Sequence, residues 1–275
     1  MDVFFNGRFL PADQATVSIQ DRGFLYGDGL FETLRAQDGR PFWLEEHLAR
    51  LGNSAAAFRI PLPTDFPWAA IIQTLLQRNG LDQGSAVVKI VVTRGEEPAL
   101  GLPDPAQSTL IIMARSYTPP PAADYQQGWP VVCFPERRTI FLGQHKSLNY
   151  LFCLAARQYA LDHGCREALL LEADGSVAEA AAAGLLWQEG EEFLVPAAAS
   201  SLPSVTLAVL AARLQFRGLT LRREPAPLAR LYQAGGIWLA NSLMGLLPVA
   251  AIDGQPVALS PATLWLNDLL WSEGG

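Results

Sequence analysis

The sequence predicts a two-domain protein of mixed α+β and α/β character, and three observations carry that reading. The first hundred residues alternate strands and tight turns with inserted helices. A proline-rich break follows at Thr118-Pro119-Pro120-Pro121-Ala122-Ala123, and beyond it the order of elements changes. The expected domains are residues 1–117 and 125–275. Between them residues 118–124 form a linker stiffened by polyproline geometry, and a ligand cleft is expected between the lobes.

Asn6-Gly7 is a strong hairpin signal between strands Val3–Phe5 and Phe9–Leu10. Asp38-Gly39 does the same between Gly29–Ala36 and Pro41–Leu44. In Glu45–Phe58 the residues Leu48, Leu51, Ala55 and Phe58 fall on one helical face, and Trp68–Leu76 repeats the pattern. Gly84–Thr93 and Thr109–Ala114 read as adjacent strands, separated by a loop over Glu96–Gln107 that holds Pro98, Pro103 and Pro105. In the second half, Pro130–Phe134 and Glu167–Glu172 read as strands and Asn149–His163 as a helix. Ala178–Gln188 and Glu192–Val195 flank a turn at Glu189-Gly190. Ser204 precedes a helix over Val205–Phe216, and strands Ile237–Ala240 and Pro248–Ile252 close the sheet.

Bulk composition removes several function classes. A net charge of −7 lacks the basic face that nucleic acid requires. Arg137-Arg138 and Arg222-Arg223 read as solvated surface or ion-pair partners. Cys133, Cys153 and Cys165 are odd in number and fit no metal or disulfide framework, which points to a reducing cytoplasm. The start has no signal-peptide pattern, and no apolar run reaches the length of a membrane span. His47, His145 and His163 share no zinc-ligand spacing. Gly27-Asp28-Gly29 lacks the third glycine of a dinucleotide loop.

Lysine is the scarce residue. It occurs only at Lys89 and Lys146 among twenty basic side chains. Lysine alone forms a Schiff base with an aldehyde, so each position where an amine was kept invites a reason. Lys146 precedes a helical pattern, where a side chain can be aimed into a cleft. Lys89 lies in a strand run, and a structural role is expected for it. An aldehyde cofactor also needs an acid for its ring nitrogen and donors for its phosphate. Glu179 is the one charge in the apolar stretch Val177–Gly184. Leu202-Pro203-Ser204-Val205-Thr206 leads into a helix and offers N–H groups and hydroxyls. Asn241-Ser242-Leu243-Met244 follows a strand and offers similar donors, and Arg50 could add a bidentate charge. The plainer readings are helix caps, an exposed helix arginine and a strand-edge acid.

Taken in order, these segments resemble the class IV aminotransferases, the fold-type IV pyridoxal-phosphate enzymes. The resemblance rests on Asp21–Leu34, His47–Leu51, Lys146–Tyr150, Gly164–Leu171 and Val177–Glu179, and it runs from Phe5 to Val257. It implies a two-domain subunit, usually in a homodimer that completes the site, acting on a small-molecule amine. It also implies pyridoxal 5'-phosphate bonded to Lys146, with Glu179 at the ring nitrogen and Tyr150 at the ring hydroxyl. Arg50, Val205, Thr206 and Ser242 would hold the phosphate. The chain departs from the family pattern at Ala180, Ala181 and Gly184, where Ser or Gly and then Asn are frequent, and at Ser204 and Leu207. These departures predict fewer hydrogen bonds behind the glutamate and the phosphate loop.

Three activities share this family. Val92-Thr93-Arg94-Gly95 is followed by Ala99 and Gly101, where the D-amino acid transaminases carry an arginine and a histidine. Asn241–Met244 stands where branched-chain transaminases have Gly-Thr-Ala-Ala. That segment, with Pro248-Val249 and Leu185-Leu186-Trp187, is more similar to aminodeoxychorismate lyase. The expected activity is therefore conversion of 4-amino-4-deoxychorismate to 4-aminobenzoate and pyruvate, a step of folate biosynthesis. The alternatives are a transaminase for branched-chain or other uncharged amino acids, and a cofactor-binding homologue without turnover.

Overall fold

The computed structural model describes residues 1–104, 107–137 and 140–272. Pro105 and Arg138, singled out above, lie outside the described residues. The chain divides into two compact units: residues 1–119 with 145–149, and residues 120–144 with 150–275. The short segment carrying Lys146 therefore counts with the first unit, although in sequence it lies in the second half.

The first unit opens with β1 (Asp2–Phe5) and β2 (Arg8–Pro11), joined by Asn6-Gly7 with both φ angles positive, as a tight hairpin requires. Helix α1 (Arg22–Tyr26) follows, then β3 (Gly29–Gln37) and β4 (Arg40–Pro41) around Asp38-Gly39. The expected strand Pro41–Leu44 is cut short because Trp43 turns into the left-handed region at φ 53° and starts α2 (Leu44–Phe58). Helix α3 (Trp68–Arg78) precedes β5 (Ser85–Thr93) and β6 (Thr109–Ser116). The strands form one antiparallel sheet in the order β2-β1-β6-β5-β3-β4. Leu34, Ile90 and Ile112 on one face of this sheet meet Leu51, Ile72 and Leu76 from α2 and α3. Strand alternation leaves Phe31, Thr33, Lys89 and Met113 on the opposite face.

The second unit begins with α4 (Ala122–Gln127), so the polyproline stretch ends in a helix before residue 124. Strand β7 (Trp129–Arg137) and helices α5 (Ile140–Gly143) and α6 (Leu151–Asp162) follow, then β8 (Glu167–Leu171). The expected single strand Ala178–Gln188 is in fact two, β9 (Val177–Ala180) and β10 (Gly184–Glu189). The break comes at the alanines, where the Ala180 N–H reaches the Ala183 carbonyl at 2.7 Å and reverses the chain. Next come β11 (Glu192–Pro196), α7 (Val205–Gln215), β12 (Leu221–Glu224), α8 (Leu228–Leu231), β13 (Gly236–Asn241), β14 (Gly245–Ile252), β15 (Gln255–Pro256) and α9 (Ala262–Trp271). The sheet order is β12-β11-β10-β13-β14-β7-β8-β9, with β15 on β14. Strands β13 and β14 thus occupy the middle of the sheet and do not close it. Parallel pairing of β14 with β7 and of β7 with β8 explains why both neighbours read as continuous apolar runs.

Ile90 is wholly buried between the first sheet and its helices. Truncating it leaves a cavity as well as removing apolar contact, so Ile90→Ala should cost about 2–5 kcal/mol. Denaturant titration of the two proteins side by side measures this as a lower midpoint at unchanged slope.

Candidate active site

In the first unit the amine is placed by main chain. Phe31 N–H donates to the Lys146 carbonyl at 2.8 Å and Leu148 N–H to the Gly29 carbonyl at 2.9 Å. Ser147 thereby bridges Leu30 in antiparallel fashion, adding a short strand to the edge of β3. Only glycine permits this approach, since a Cβ at Gly29 would lie 2.7 Å from both the Leu148 side chain and the Val92 carbonyl. Gly27, at φ 67°, ends α1, and its carbonyl accepts from Asn149 Nδ2 at 3.0 Å. Lys146 is half-buried, with Nζ 4.6 Å from the centre of the Phe31 ring. His145 is fixed beside it by Ser54 Oγ at 3.0 Å, and burial pushes its imidazole pKa down.

Arg50, on α2, presents Nε and Nη2 to both oxygens of Glu32 on β3, at 2.8 and 2.6 Å. His47 Nδ1 lies 2.7 Å from the same carboxylate. Burial alone would raise the Glu32 pKa, but the hydrogen bonds and charges of Arg50 and His47 outweigh it and bring it down to about 2. Because that carboxylate is ionised, Nδ1 carries the histidine proton. The fork occupies the Nε edge of the guanidinium.

Lys89 lies within β5, in the strand run expected for it. It is exposed on the open face of the sheet, with Nζ 4.7 Å from the same Phe31 ring that carries Lys146. Burial and then the nearby Arg115 charge lower its pKa. Residues 88 and 90 point to the core, and strand period two sends residue 89 the other way.

The loop after Arg94 is held by two arginines from outside it. Arg94 is fully buried and binds Asp28 and the carbonyls of Phe58, Arg59 and Pro103. Arg22 binds Asp28 and donates to the carbonyls of Ala99 at 2.7 Å and Gly101 at 2.9 Å. Positions 99 and 101 are thus main-chain acceptors held by arginine.

In the second unit Glu179 is buried, and its Oε2 accepts from Leu202 N–H at 3.0 Å. That bond ties the acid to the start of α7. Val205 and Thr206 open this helix, so their N–H groups have no intrahelical acceptor. Ser204 acts as the expected cap, with Oγ accepting from Leu207 N–H at 3.3 Å. The buried hydroxyls of Thr206 and Ser242 lie 3.4 Å apart. Two main-chain donors at the positive end of an eleven-residue helix, with two hydroxyls beside them, suit a phosphate. Gly184 allows this packing, since a Cβ there would come within 2.9 Å of Leu207. The donors expected from Leu243 and Met244 are taken: both N–H groups donate to Asn241 Oδ1 at 3.0 Å. Tyr150 OH donates to the Ala181 carbonyl at 3.0 Å. Each unit therefore assembles its own share of the predicted residues, with Lys146 and Arg50 in the first. Sequence reasoning gave no role to Glu32, Glu167 or the capping action of Asn241. Among the described residues no cluster of His, Cys, Asp and Glu could hold a metal, and no helix is long and apolar enough to cross a membrane.

A sequence model of the family described as amino-transferase class IV matches residues 29–252. A putative branched-chain-amino-acid aminotransferase of Methanocaldococcus jannaschii is 33% identical over 94% of this chain and 90% of its own. A D-alanine aminotransferase of Listeria monocytogenes is 29% identical over the same shares. The crystal structure of a putative 4-amino-4-deoxychorismate lyase from Legionella pneumophila superposes with a TM-score of 0.85. It is 27% identical, covering 94% of this chain and 96% of that one. The fold is that of the fold-type IV pyridoxal-phosphate enzymes. The chain belongs to the class IV aminotransferase family and is an enzyme of it.

Glu32 provides a test of the buried network. Its depressed pKa means that it stabilises the fold above pH about 4.5, and that this contribution is lost as pH falls through about 2. Glu32→Gln should therefore be less stable than wild type by about 3 kcal/mol at pH 7. The gap should close between pH 4.5 and 2, as read by urea unfolding of both proteins at each pH.

Proposed function

We propose that the protein is a 4-amino-4-deoxychorismate lyase, in which Lys146 bonds pyridoxal 5'-phosphate and handles the proton. Val205, Thr206, Ser242 and Arg50 would hold the phosphate, Glu179 would meet the ring nitrogen and Tyr150 the ring hydroxyl. When bound, the cofactor supplies an electron sink that makes a proton on the substrate carbon bearing the amine removable. Lys146 Nζ takes that proton from the ring carbon. The ring carbon–oxygen bond to the enolpyruvyl group then breaks as the ring aromatises, and the leaving enolpyruvate regains a proton as pyruvate. Atoms balance with no oxidant or second substrate, and one base with a pKa near working pH suffices.

The observation that carries this reading is the turn after β13. An α-amino acid needs an anion trap close to its amine. A Gly-Thr-Ala-Ala turn has glycine in place of Asn241 and so lacks the amide that here occupies the N–H groups of Leu243 and Met244. The loop holding Ala99 and Gly101 likewise offers no cation, since Arg22 and Arg94 are bonded inward. Cations stand instead on the open sheet face at Lys89 and Arg115, where a ring carboxylate could meet them. A second reading, a transaminase for branched-chain or other uncharged amino acids, is favoured by the names of the relatives at 33% and 29% identity. A homodimer goes with either reading, supported by Ile19, Phe24, Tyr26 and Leu100 exposed on one unit. A cytoplasmic setting goes with cysteines that form no disulfide.

Purified protein given 4-amino-4-deoxychorismate should release pyruvate, and Lys146→Ala should release none above background. Bleaching of the cofactor's visible band by branched-chain or D-amino acids, without pyruvate release, would favour the transaminase. Lys89→Met should raise KM for the dicarboxylate about tenfold or more while kcat changes little, because a charge-assisted hydrogen bond is worth about 1.5–3 kcal/mol.

A further inference from the structure

The turn that follows Glu179 carries nothing but methyl groups, yet its peptide groups are held from several sides. Ala181 N–H donates to the Ala168 carbonyl at 2.9 Å, and its carbonyl accepts from Tyr150 OH at 3.0 Å. The Ala182 carbonyl accepts from Asn241 Nδ2 at 3.2 Å, and continuing the β8–β9 register past the Ala181–Ala168 bond places Ala182 opposite Glu167, with its N–H beside the Glu167 carboxylate. Glu167 is itself 1% exposed at the start of β8. It accepts from Ala168 N–H at 3.0 Å and from Arg157 Nη1 at 2.5 Å. Burial raises the Glu167 pKa in spite of these partners, so keeping an ionisable group here is costly.

We infer that Glu167 is a positioning residue for Glu179: its carboxylate, gripping Ala182, replaces the side-chain hydrogen bonds that an all-alanine turn cannot make. Strand β8 pairs with β9 through Leu170 opposite Glu179, so Glu167 sits on the strand next to the one that carries the acid, beside the turn that ends it. Movement of that turn would swing the Glu179 side chain away from the cofactor ring nitrogen. The inference rests on the functional reading above, and predicts that Glu167 matters only through Glu179.

The test is a double-mutant cycle on the full-length protein. Binding of pyridoxal 5'-phosphate, and of its analogue with carbon in place of the ring nitrogen, is titrated by fluorescence quenching. Glu167→Ala should weaken pyridoxal phosphate binding about threefold to a hundredfold, leave the carbon analogue unchanged, and have no further effect once Glu179→Gln is present. Glu167→Gln, which keeps an acceptor oxygen for Ala168 and Ala182, should restore most of the affinity. If Glu167→Ala does not fold, Glu167→Asp, one methylene shorter, is taken through the same cycle. Equal losses for both cofactors, or the same loss in the Glu179→Gln background, would show that Glu167 only braces α6 through Arg157 and would overturn the inference. Wild-type protein that takes up no pyridoxal phosphate would overturn the functional reading, and this inference with it.

Discussion

Two hydrogen bonds, Phe31 N–H to Lys146 O and Leu148 N–H to Gly29 O, hold residues 146–148 against the edge of β3. A lysine carries four rotatable bonds, and fixing it by side-chain contacts alone would cost most of its rotamer freedom. Fixing the backbone on both sides of it leaves only the side chain to order, and the Phe31 ring supplies a surface for that. The Asp21–Leu34 stretch exists to make this edge. Asp21 caps α1 through Gly23 N–H and accepts from Thr93 and Thr109, Gly27 reverses the chain, and Gly29 leaves room for Leu148.

The same division of labour governs the charged groups. Arginine, whose planar fork can satisfy carboxylates and carbonyls in fixed directions, takes the buried positions at 22 and 94 and the half-buried one at 50. Each is matched by a carboxylate, Asp28 or Glu32, so the burial of charge is offset by geometry close to ideal. The two lysines lie where a compact, titratable amine can stand beside an aromatic ring.

Much of this was legible from residues. Asn6-Gly7 and Asp38-Gly39 formed their turns because only φ above zero closes such hairpins, and Asn and Gly tolerate it. Ser204 capped α7, and Lys146, Glu179 and Thr206 were singled out because an amine, a lone acid and a helix start have few other chemistries. What was not legible was pairing at a distance. Nothing local to Ala178–Gln188 says that its first and last residues join different parts of one sheet, since alanine suits strand, turn and helix alike. Helix α9 was missed because Ala262–Trp271 is apolar on most sides and shows little periodicity.

The alanine turn shows why a departure from a family pattern need not be a loss. Removing a serine or asparagine from a turn removes local hydrogen bonds, but the peptide groups they served still demand partners once buried. Here Tyr150, Glu167 and Asn241 reach in from three separate elements. Long-range partners restrain a turn more than local ones, because they fix it to the sheet and not merely to itself. Asn241 extends this logic, for one amide holds the Ala182 carbonyl with its nitrogen and two N–H groups of its own turn with its oxygen. The turn that positions the acid and the turn that carries Ser242 are therefore locked by a single side chain, which couples the ring-nitrogen and phosphate ends of the proposed cofactor site.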